Sequence, residues 1–134
     1  MEEERFRAQV EKANAQNPFM KHNGIRAIWL DERQARVEAQ IGPGSLNAMG
    51  SVHGGLMMAA AEIACGLLVR SDGRKYVTLD SSFRFLRSST AERIEARAER
   101  VKGGRTVSFA RAQVIEPDTG RLLAEGDFTF YCLD

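Results

Sequence analysis

Cysteine is scarce in this 134-residue chain, and neither sign of charge is in excess. The two cysteines, Cys65 and Cys132, lack the close spacing of a metal-binding pair, so no metal site is expected from them. Lys and Arg number 19 against 18 Asp and Glu, which gives a net charge of +1. A near-neutral chain offers no general electrostatic attraction for nucleic acid or an anionic membrane, so neither is expected as a partner.

Neither a secretory signal nor a membrane-spanning segment is expected. The acidic segment Met1–Arg5 leads into no apolar stretch of the secretory type. The longest stretch nearly free of charge, Gly42–Val69, is rich in glycine near its start and contains His53 and Glu62, which makes it a poor membrane span. Cys65 lies in an apolar run, where a reduced thiol packs as a small hydrophobic group. Together these features predict a soluble cytoplasmic protein.

Composition and length predict one globular domain over residues 1–134. Hydrophobic residues make up 43% of the chain and charged residues 28%, a balance typical of globular proteins. The length supports one core and is too short for two comfortable ones.

Hydrophobic periodicity predicts an α+β fold. A short helix is expected over Glu2–Asn14, and Asn17–Pro18 ends it. The segment Gly54–Val69 is apolar on all sides except at Glu62, which predicts a long buried helix. A hairpin before this helix and a four-stranded meander after it would form an antiparallel sheet for the helix to pack on. The predicted strands are Ile25–Leu30, Ala35–Ile41, Tyr76–Leu86, Arg93–Val101, Thr106–Ile115 and Arg121–Tyr131.

Two glycines, Gly54 and Gly55, open the long helix. The first backbone N–H groups of a helix have no internal partner, and glycine lets a ligand approach them closely. This arrangement suits an anion, or a carbonyl oxygen that is becoming one. Glycines also let a helix start close to a packed strand, and on their own they favour that structural role.

Glu62 is the only acidic or basic residue between Gly54 and Val69. Burial of a lone carboxylate is costly, so such a group is usually paired, protonated or functional. An ion pair with an arginine from the sheet is the structural alternative, while the apolar surroundings favour a functional role. Asn47 and His53 lie in the approach to the same helix, although a loop asparagine is usually a turn former and a lone histidine a cap.

The spacing of these groups predicts a dimer. Eight residues separate Gly54 from Glu62, which is roughly 12 Å along a helix axis. A reacting carbon needs to lie about 3 Å from both the oxyanion donors and an activated water, and one helix does not easily arrange this alone. Two such helices packed antiparallel across a two-fold axis would bring Glu62 of one subunit near Gly54 of the other.

This segment resembles the signature of hotdog-fold acyl-CoA thioesterases of the PaaI-like group. The tight motif covers residues 47–62, and the similarity in element order covers roughly residues 18–131. The tight motif consists of Asn47, Gly50, Val52–Gly55 and Glu62, the acid nine residues after His53. The resemblance continues at Val77–Arg87, in the strand after the central helix, and at Gly104–Thr106, in a turn.

The resemblance implies a long helix wrapped by an antiparallel sheet, a homodimer and often a tetramer. It implies hydrolysis of acyl-CoA to free acid and CoA with no metal or organic cofactor, coenzyme A being part of the substrate. Glu62 would be the general base or nucleophile, and the Gly54 amide would form the oxyanion hole. Asn47 and His53 would orient the thioester or water, and Thr78 would place a hydroxyl beside the acid. Many PaaI-like members carry Asp at the Glu62 position, so the choice between base and nucleophile stays open.

Further residues are candidates for substrate binding. Met57 and Met58 could line an acyl pocket, although packing in the core or a dimer interface accounts better for at least one of them. Thr78 and Asp80, two apart on one strand, are expected to share a face. Basic side chains are candidates for the CoA phosphates, with a solvated surface role as the alternative. The predicted substrate contacts are Gly55, Met58, Arg84, Arg87, Lys102 and Arg105.

Two other functions are open on the same scaffold. One is a non-catalytic acyl-CoA binder or sensor, which does not need Glu62. The other is a hotdog enoyl-CoA hydratase or dehydratase, in which His53 and an acid move protons beside the carbonyl. A structural assembly protein is least favoured because it leaves the lone carboxylate unexplained. For the acyl group, the resemblance favours aryl or hydroxylated aryl thioesters, and medium-chain acyl-CoA is the other candidate.

Overall fold

In the computed structural model, which describes residues 1–134, a long helix packs across one face of a six-stranded antiparallel sheet. The helices are α1 (Glu2–Gln16), α2 (Pro18–His22) and α3 (Gly54–Val69), with short 3-10 turns at Pro43–Ser45 and Arg70–Asp72. The strands are β1 (Ile25–Leu30), β2 (Gln34–Gln40), β3 (Tyr76–Phe85), β4 (Arg93–Lys102), β5 (Val107–Ile115) and β6 (Leu122–Cys132). The α+β class and the helix wrapped by an antiparallel sheet are therefore confirmed.

Small side chains on the inner face of the sheet let α3 approach closely. The buried positions of β2, β4 and β5 include Ala35, Val37, Ala39, Ile94, Ala96, Ala98, Ala110, Ala112 and Val114. They join the buried side of α3 in one continuous hydrophobic core. By length and composition Gly54–Asp72 is apolar enough to cross a membrane, with a mean hydropathy of 1.3, but here it is the core helix of the sheet.

The strand order corrects the predicted meander. The order across the sheet is β1-β2-β4-β5-β6-β3, so only β4, β5 and β6 form a meander. Helix α3 carries the chain across the sheet, which places β3 beside β6 at the far edge, and the chain then returns to pair β4 with β2. One side of β3 consequently has no partner strand in this chain.

Helix α2 is absent from the sequence prediction, although its start has an ordinary signal. The Asn17 side chain accepts a 3.0 Å hydrogen bond from the N–H of Met20, and Pro18 occupies the first helical turn. An asparagine cap followed by proline is a common way to begin a helix. Asn17–Pro18 therefore ends α1 and begins α2.

A bulge in β3 corrects the expectation that Thr78 and Asp80 share a face. Thr78 pairs with Phe130 and Asp80 pairs with the adjacent Thr129, so Leu79 is an extra residue in the strand. Neighbours on a strand face opposite sides of the sheet, and paired residues lie on the same side. Thr78 thus faces α3, whereas Asp80 faces away from it.

Candidate active site

The first turn of α3 presents one free amide. His53 is the N-cap, and its Nδ1 accepts a 2.8 Å hydrogen bond from the backbone N–H of Gly55. The N–H groups of Leu56 and Met57 donate to the His53 carbonyl. The N–H of Gly54 donates to no group of the chain and is therefore the open donor at the positive end of the helix.

The cap also fixes what His53 and Gly55 can offer a ligand. A neutral imidazole that accepts at Nδ1 carries its proton on Nε2, and the exposed side chain leaves that N–H free to donate. The Gly55 amide is engaged by the cap, so Gly55 offers a substrate only its lack of a side chain.

Asn47 organises a tight turn in the loop before α3. Its Oδ1 accepts hydrogen bonds from the N–H groups of Met49 at 2.9 Å and Ser51 at 3.1 Å. Its own backbone N–H donates to the Ser51 carbonyl at 2.8 Å. The turn-forming role is thus present, and the side-chain NH2 group is the part of Asn47 that remains available to a ligand.

Glu62 lies on a stripe of α3 that the sheet leaves uncovered. Gly55 and Met58 on this stripe are exposed, and Glu62 and Ile63 are half-buried. The expectation of a fully buried helix is therefore wrong along this stripe, because the sheet of one chain covers only part of the helix. Glu62 Oε2 accepts a 2.6 Å hydrogen bond from Thr78 Oγ1. The ion pair with an arginine, the structural alternative for Glu62, is not formed.

The two methionines of α3 occupy different environments. Met57 is 2% exposed in the core, whereas Met58 is 36% exposed on the uncovered stripe. Met57 therefore packs the core, and Met58 is the one that remains free to meet a substrate or a second subunit.

A groove of about 850 Å³ runs from Glu62 between α1 and α3. Its apolar lining includes Ala13, Met20, Ile63 and Leu67, and its basic lining includes Lys12, Arg70, Arg74 and Lys75. The groove places apolar surface beside the Glu62 carboxylate, an arrangement that suits an apolar group attached to a reactive centre.

The ring of Phe85 lies against Gly54. A Cβ placed on Gly54 would stand 3.1 Å from Cε1 of this ring. Phe83 packs edge-on against Phe85 with ring centroids 5.2 Å apart. Sequence periodicity misses Phe85 because a regular strand would turn it away from the side of Thr78, and only the bulge at Leu79 reverses this alternation.

Glu62 and Gly54 are held near opposite ends of β3. Thr78 contacts Glu62, and Phe85 contacts Gly54. Thr78 and Phe85 lie roughly 20 Å apart along the strand, at about 3.3 Å per residue. Within one chain the acid and the free amide do not converge, as their spacing on the helix predicts.

The four basic residues predicted to meet CoA phosphates divide into two pairs. Arg84 and Arg87 lie at the carboxyl end of β3. Lys102 ends β4, and Arg105 follows in the turn, where its carbonyl accepts a 2.7 Å hydrogen bond from Arg74 just before β3. One chain therefore does not gather all four at one place.

The two cysteines are not candidates for a reactive thiol in this site. Cys65 and Cys132 are both buried and unpaired. Burial, and then the nearby charge of Glu62, raises the pKa of the Cys65 thiol. The neutral thiol packs as a small hydrophobic group. No three His, Cys, Asp or Glu side chains of the chain come together in a cluster that could hold a metal ion.

Comparison with solved structures gives relatives of known fold. A variant of the phenylacetic acid degradation protein PaaI from Thermus thermophilus is 30% identical, with a TM-score of 0.81, over 87% of this chain and 100% of that chain. A thioesterase family protein from Silicibacter pomeroyi is 25% identical, with a TM-score of 0.87, over 96% and 98%. The PaaI protein of the E. coli phenylacetic acid degradation operon has a TM-score of 0.92 over 100% and 97%, and at 20% identity it supports the fold alone.

Comparison with protein families gives the assignment. Residues 49–122, which include Gly54, Glu62 and Thr78, match the thioesterase superfamily. No curated protein sequence gives a significant match. The family match covers more than half of the chain, and the Thermus thermophilus relative covers most of it. The chain therefore belongs to the thioesterase superfamily, as a hotdog-fold, PaaI-like thioester hydrolase.

Proposed function

We propose that this hydrolase cleaves acyl-CoA thioesters to the free acid and CoA, with Glu62 as general base or nucleophile and the Gly54 amide as oxyanion hole. The observation that supports this most is the environment of Glu62. Its carboxylate has no ionic partner, is oriented by the Thr78 hydroxyl and lies on the uncovered stripe of α3. A half-buried acid held in this way beside a groove that has apolar side chains next to it is suited to act on a bound substrate.

Each of the two roles for Glu62 gives a balanced reaction. As a base, the carboxylate takes a proton from water, and the water oxygen adds to the thioester carbon. The C–S bond then breaks, and CoA leaves as a thiolate that takes up a proton. As a nucleophile, the carboxylate itself displaces CoA, and water hydrolyses the resulting anhydride.

The Gly54 amide suits the charge that either route creates. Addition to the carbonyl places negative charge on its oxygen, and a free N–H at the positive end of a helix stabilises such an oxygen. His53 Nε2–H and the Asn47 side-chain NH2 are further donors in the approach to α3, and we propose that they orient the thioester or water.

A homodimer completes the proposed site. β3 is a ten-residue edge strand, and an unpaired edge is a template for a second strand. It exposes large apolar side chains, including Leu79 at 54% and Phe85 at 55%. Antiparallel pairing of two β3 edges about a point between Thr78 and Phe85 would bring Glu62 of one subunit near Gly54 of the other.

The same pairing gives the proposed phosphate contacts. Arg84 and Arg87 of one subunit would approach Lys102 and Arg105 of the other, since the two pairs flank opposite ends of β3. Four cations gathered in this way suit the phosphates of CoA. We also propose that two such dimers associate into a tetramer and that the protein is cytoplasmic. No cofactor is proposed, and coenzyme A takes part only as a portion of the substrate.

The groove beside Glu62 is the proposed place for the acyl group. Ile63 and Leu67 supply apolar contacts next to the carboxylate, and Met58 lies on the same stripe of the helix. An aryl or medium-chain acyl group is of the kind that such a lining accepts.

The test is release of free thiol from a panel of acyl-CoA and aryl-CoA thioesters, with the wild-type protein and Glu62→Gln side by side. The substitution keeps the size of the side chain and removes its charge. We expect wild-type turnover and a loss of about 100-fold or more in the variant. A wild-type protein that binds CoA but releases no thiol would contradict the proposal, and hydration of an enoyl-CoA without thiol release would indicate the hydratase alternative.

A further inference from the structure

Ser89 and Glu116 form a buried polar pair outside the proposed reaction site. The Ser89 hydroxyl donates a 2.5 Å hydrogen bond to Glu116 Oε2, and the two residues are 3% and 9% exposed. Ser89 lies in the loop between β3 and β4, and Glu116 directly follows β5. A carboxylate is rarely buried unless it is paired and hydrogen-bonded, and none of the proposed chemical steps uses this one.

The Ser89 backbone connects this pair to the start of α3. Its carbonyl accepts a 2.8 Å hydrogen bond from the N–H of Val52, which is buried directly before the His53 cap. The other backbone hydrogen bonds of residues 42–53 stay within that loop or run to α3. The Val52–Ser89 bond is thus the one backbone hydrogen bond that fixes the loop to the sheet side of the molecule.

The negative charge of Glu116 strengthens the hydrogen bond that it accepts from Ser89. Hydrogen bonds from Ser89 and Thr119 hold the pKa of Glu116 below its ordinary value, so the carboxylate is ionised at neutral pH. Hydrogen bonds to an ionised acceptor are stronger than neutral ones. Thr119 binds the other carboxylate oxygen at 2.9 Å, and Arg121 lies 3.8 Å from Oε2.

We propose that Ser89 and Glu116 are positioning residues for the hydrolase site. They fix the Ser89 carbonyl, which holds Val52, and Val52 in turn sets the His53 cap and the direction of the free Gly54 amide. This inference rests on the oxyanion role proposed for Gly54. An oxyanion donor must be aimed within a fraction of an ångström, so a small displacement of the loop lowers the rate of the chemical step.

The kinetic test compares Ser89→Ala with Thr119→Ala. Both variants remove one hydrogen bond to the same carboxylate, but only Ser89 also touches the loop before α3. We expect Ser89→Ala to lower kcat about 10- to 100-fold with KM changed less than about two-fold. Thr119→Ala should keep kcat near that of the wild type, although both variants melt at a lower temperature. Equal kcat losses in the two variants, or none in Ser89→Ala, would overturn the proposal.

Hydrogen exchange at the Gly55 amide tests the same linkage without any turnover. This amide donates to His53 Nδ1, so a displaced cap exposes it to solvent. We expect its exchange to be about 10-fold faster in Ser89→Ala and unchanged in Thr119→Ala. Unchanged exchange in both would overturn the proposal. If Glu62→Gln hydrolyses thioesters normally while Gly55 exchange still responds to Ser89→Ala, the proposed chemistry fails and the positioning linkage stands.

A second variant covers the case in which Ser89→Ala does not fold. Glu116→Gln keeps the side-chain shape and an acceptor oxygen for Ser89 but removes the charge. We expect a smaller fall in kcat, about three- to ten-fold, with little change in KM. A folded Glu116→Gln with wild-type kcat and wild-type Gly55 exchange would contradict the proposal.

Discussion

The hydroxyl of Thr78 donates a 2.6 Å hydrogen bond to Oε2 of Glu62. This contact joins β3 to α3 and fixes one oxygen of the carboxylate. The other oxygen, Oε1, is left to act on water or on a thioester along the uncovered stripe of the helix. The orientation of the proposed base or nucleophile therefore depends on a single strand residue.

Removal of this hydroxyl should reduce turnover more than it reduces stability. We expect Thr78→Ala to lower kcat about 10- to 100-fold, since a hydrogen bond to a charged group contributes about 1.5–3 kcal/mol and each 1.4 kcal/mol or so is a factor of ten in rate. Thr78→Ser keeps the hydroxyl and should restore most of the rate. Steady-state thiol release measures both, and equal rates for the two variants would show that the hydroxyl does not position Glu62.

Two substitutions at Gly54 distinguish the role of its backbone N–H from the role of its missing side chain. Gly54→Pro removes the free N–H at the first helical position, where proline is well tolerated, and His53 has φ −65° and ψ 131°, which a residue before proline can adopt. Gly54→Ala retains the N–H and makes the same Cβ contact with Phe85, so it is the matched control. We expect kcat to fall about 10²- to 10³-fold in Gly54→Pro and much less in Gly54→Ala. Similar kcat values in both variants would exclude the amide as the oxyanion donor.

The unpaired edge of β3 is the proposed dimer interface, and a substitution on it should change the oligomeric state. Lysine on an edge strand opposes pairing with a second strand, so Leu79→Lys should shift the protein from dimer to monomer and abolish hydrolysis. Trp29→Lys, at an exposed apolar position of β1 on the opposite edge of the sheet, is the control. Analytical ultracentrifugation gives the state of each variant. A Leu79→Lys protein that sediments like the wild type would argue against β3 as the interface.

The Glu116 carboxylate makes the free energy of unfolding depend on pH. Hydrogen bonds from Ser89 and Thr119 lower its pKa in the folded protein from an ordinary value of 4.5. Its contribution is therefore complete above that value and is lost as the pH falls through the lower folded pKa. We expect Glu116→Gln to reduce the free energy of unfolding by about 1.5 kcal/mol at pH 7. Urea unfolding at neutral and at acid pH should show this difference shrinking in acid, and a difference that grows in acid would contradict the assignment.

Much of the fold is predictable from local sequence patterns. Alternation marks the strands, and the long apolar run Gly54–Val69 marks the central helix with the same bounds as in the structure. Strand order is not predictable in this way, because the place of β3 beside β6 depends on where α3 carries the chain. The bulge at Leu79 is also a tertiary property, and it decides that Thr78 and Phe85 both face the helix.

The candidate site is predictable in its residue types but not in its contacts. Gly54 and Glu62 stand out because a glycine-opened helix and a lone acid in an apolar run are both unusual. The link from Ser89 to Val52 gives no sequence signal, since a buried serine in a loop looks like any other loop serine. The four basic candidates resemble one another in sequence, and only the fold divides them between the two ends of β3.

Whether one active site takes Glu62 from one subunit and Gly54 from the other can be tested by subunit mixing. Glu62→Gln and Gly54→Pro proteins, each inactive alone, are co-expressed and the mixed population is assayed for thiol release. In a mixed dimer one site carries both defects and the other carries neither, so random pairing should restore about a quarter of wild-type activity. A mixture that remains as inactive as its two parents would show that each site lies within one chain and would contradict the shared site.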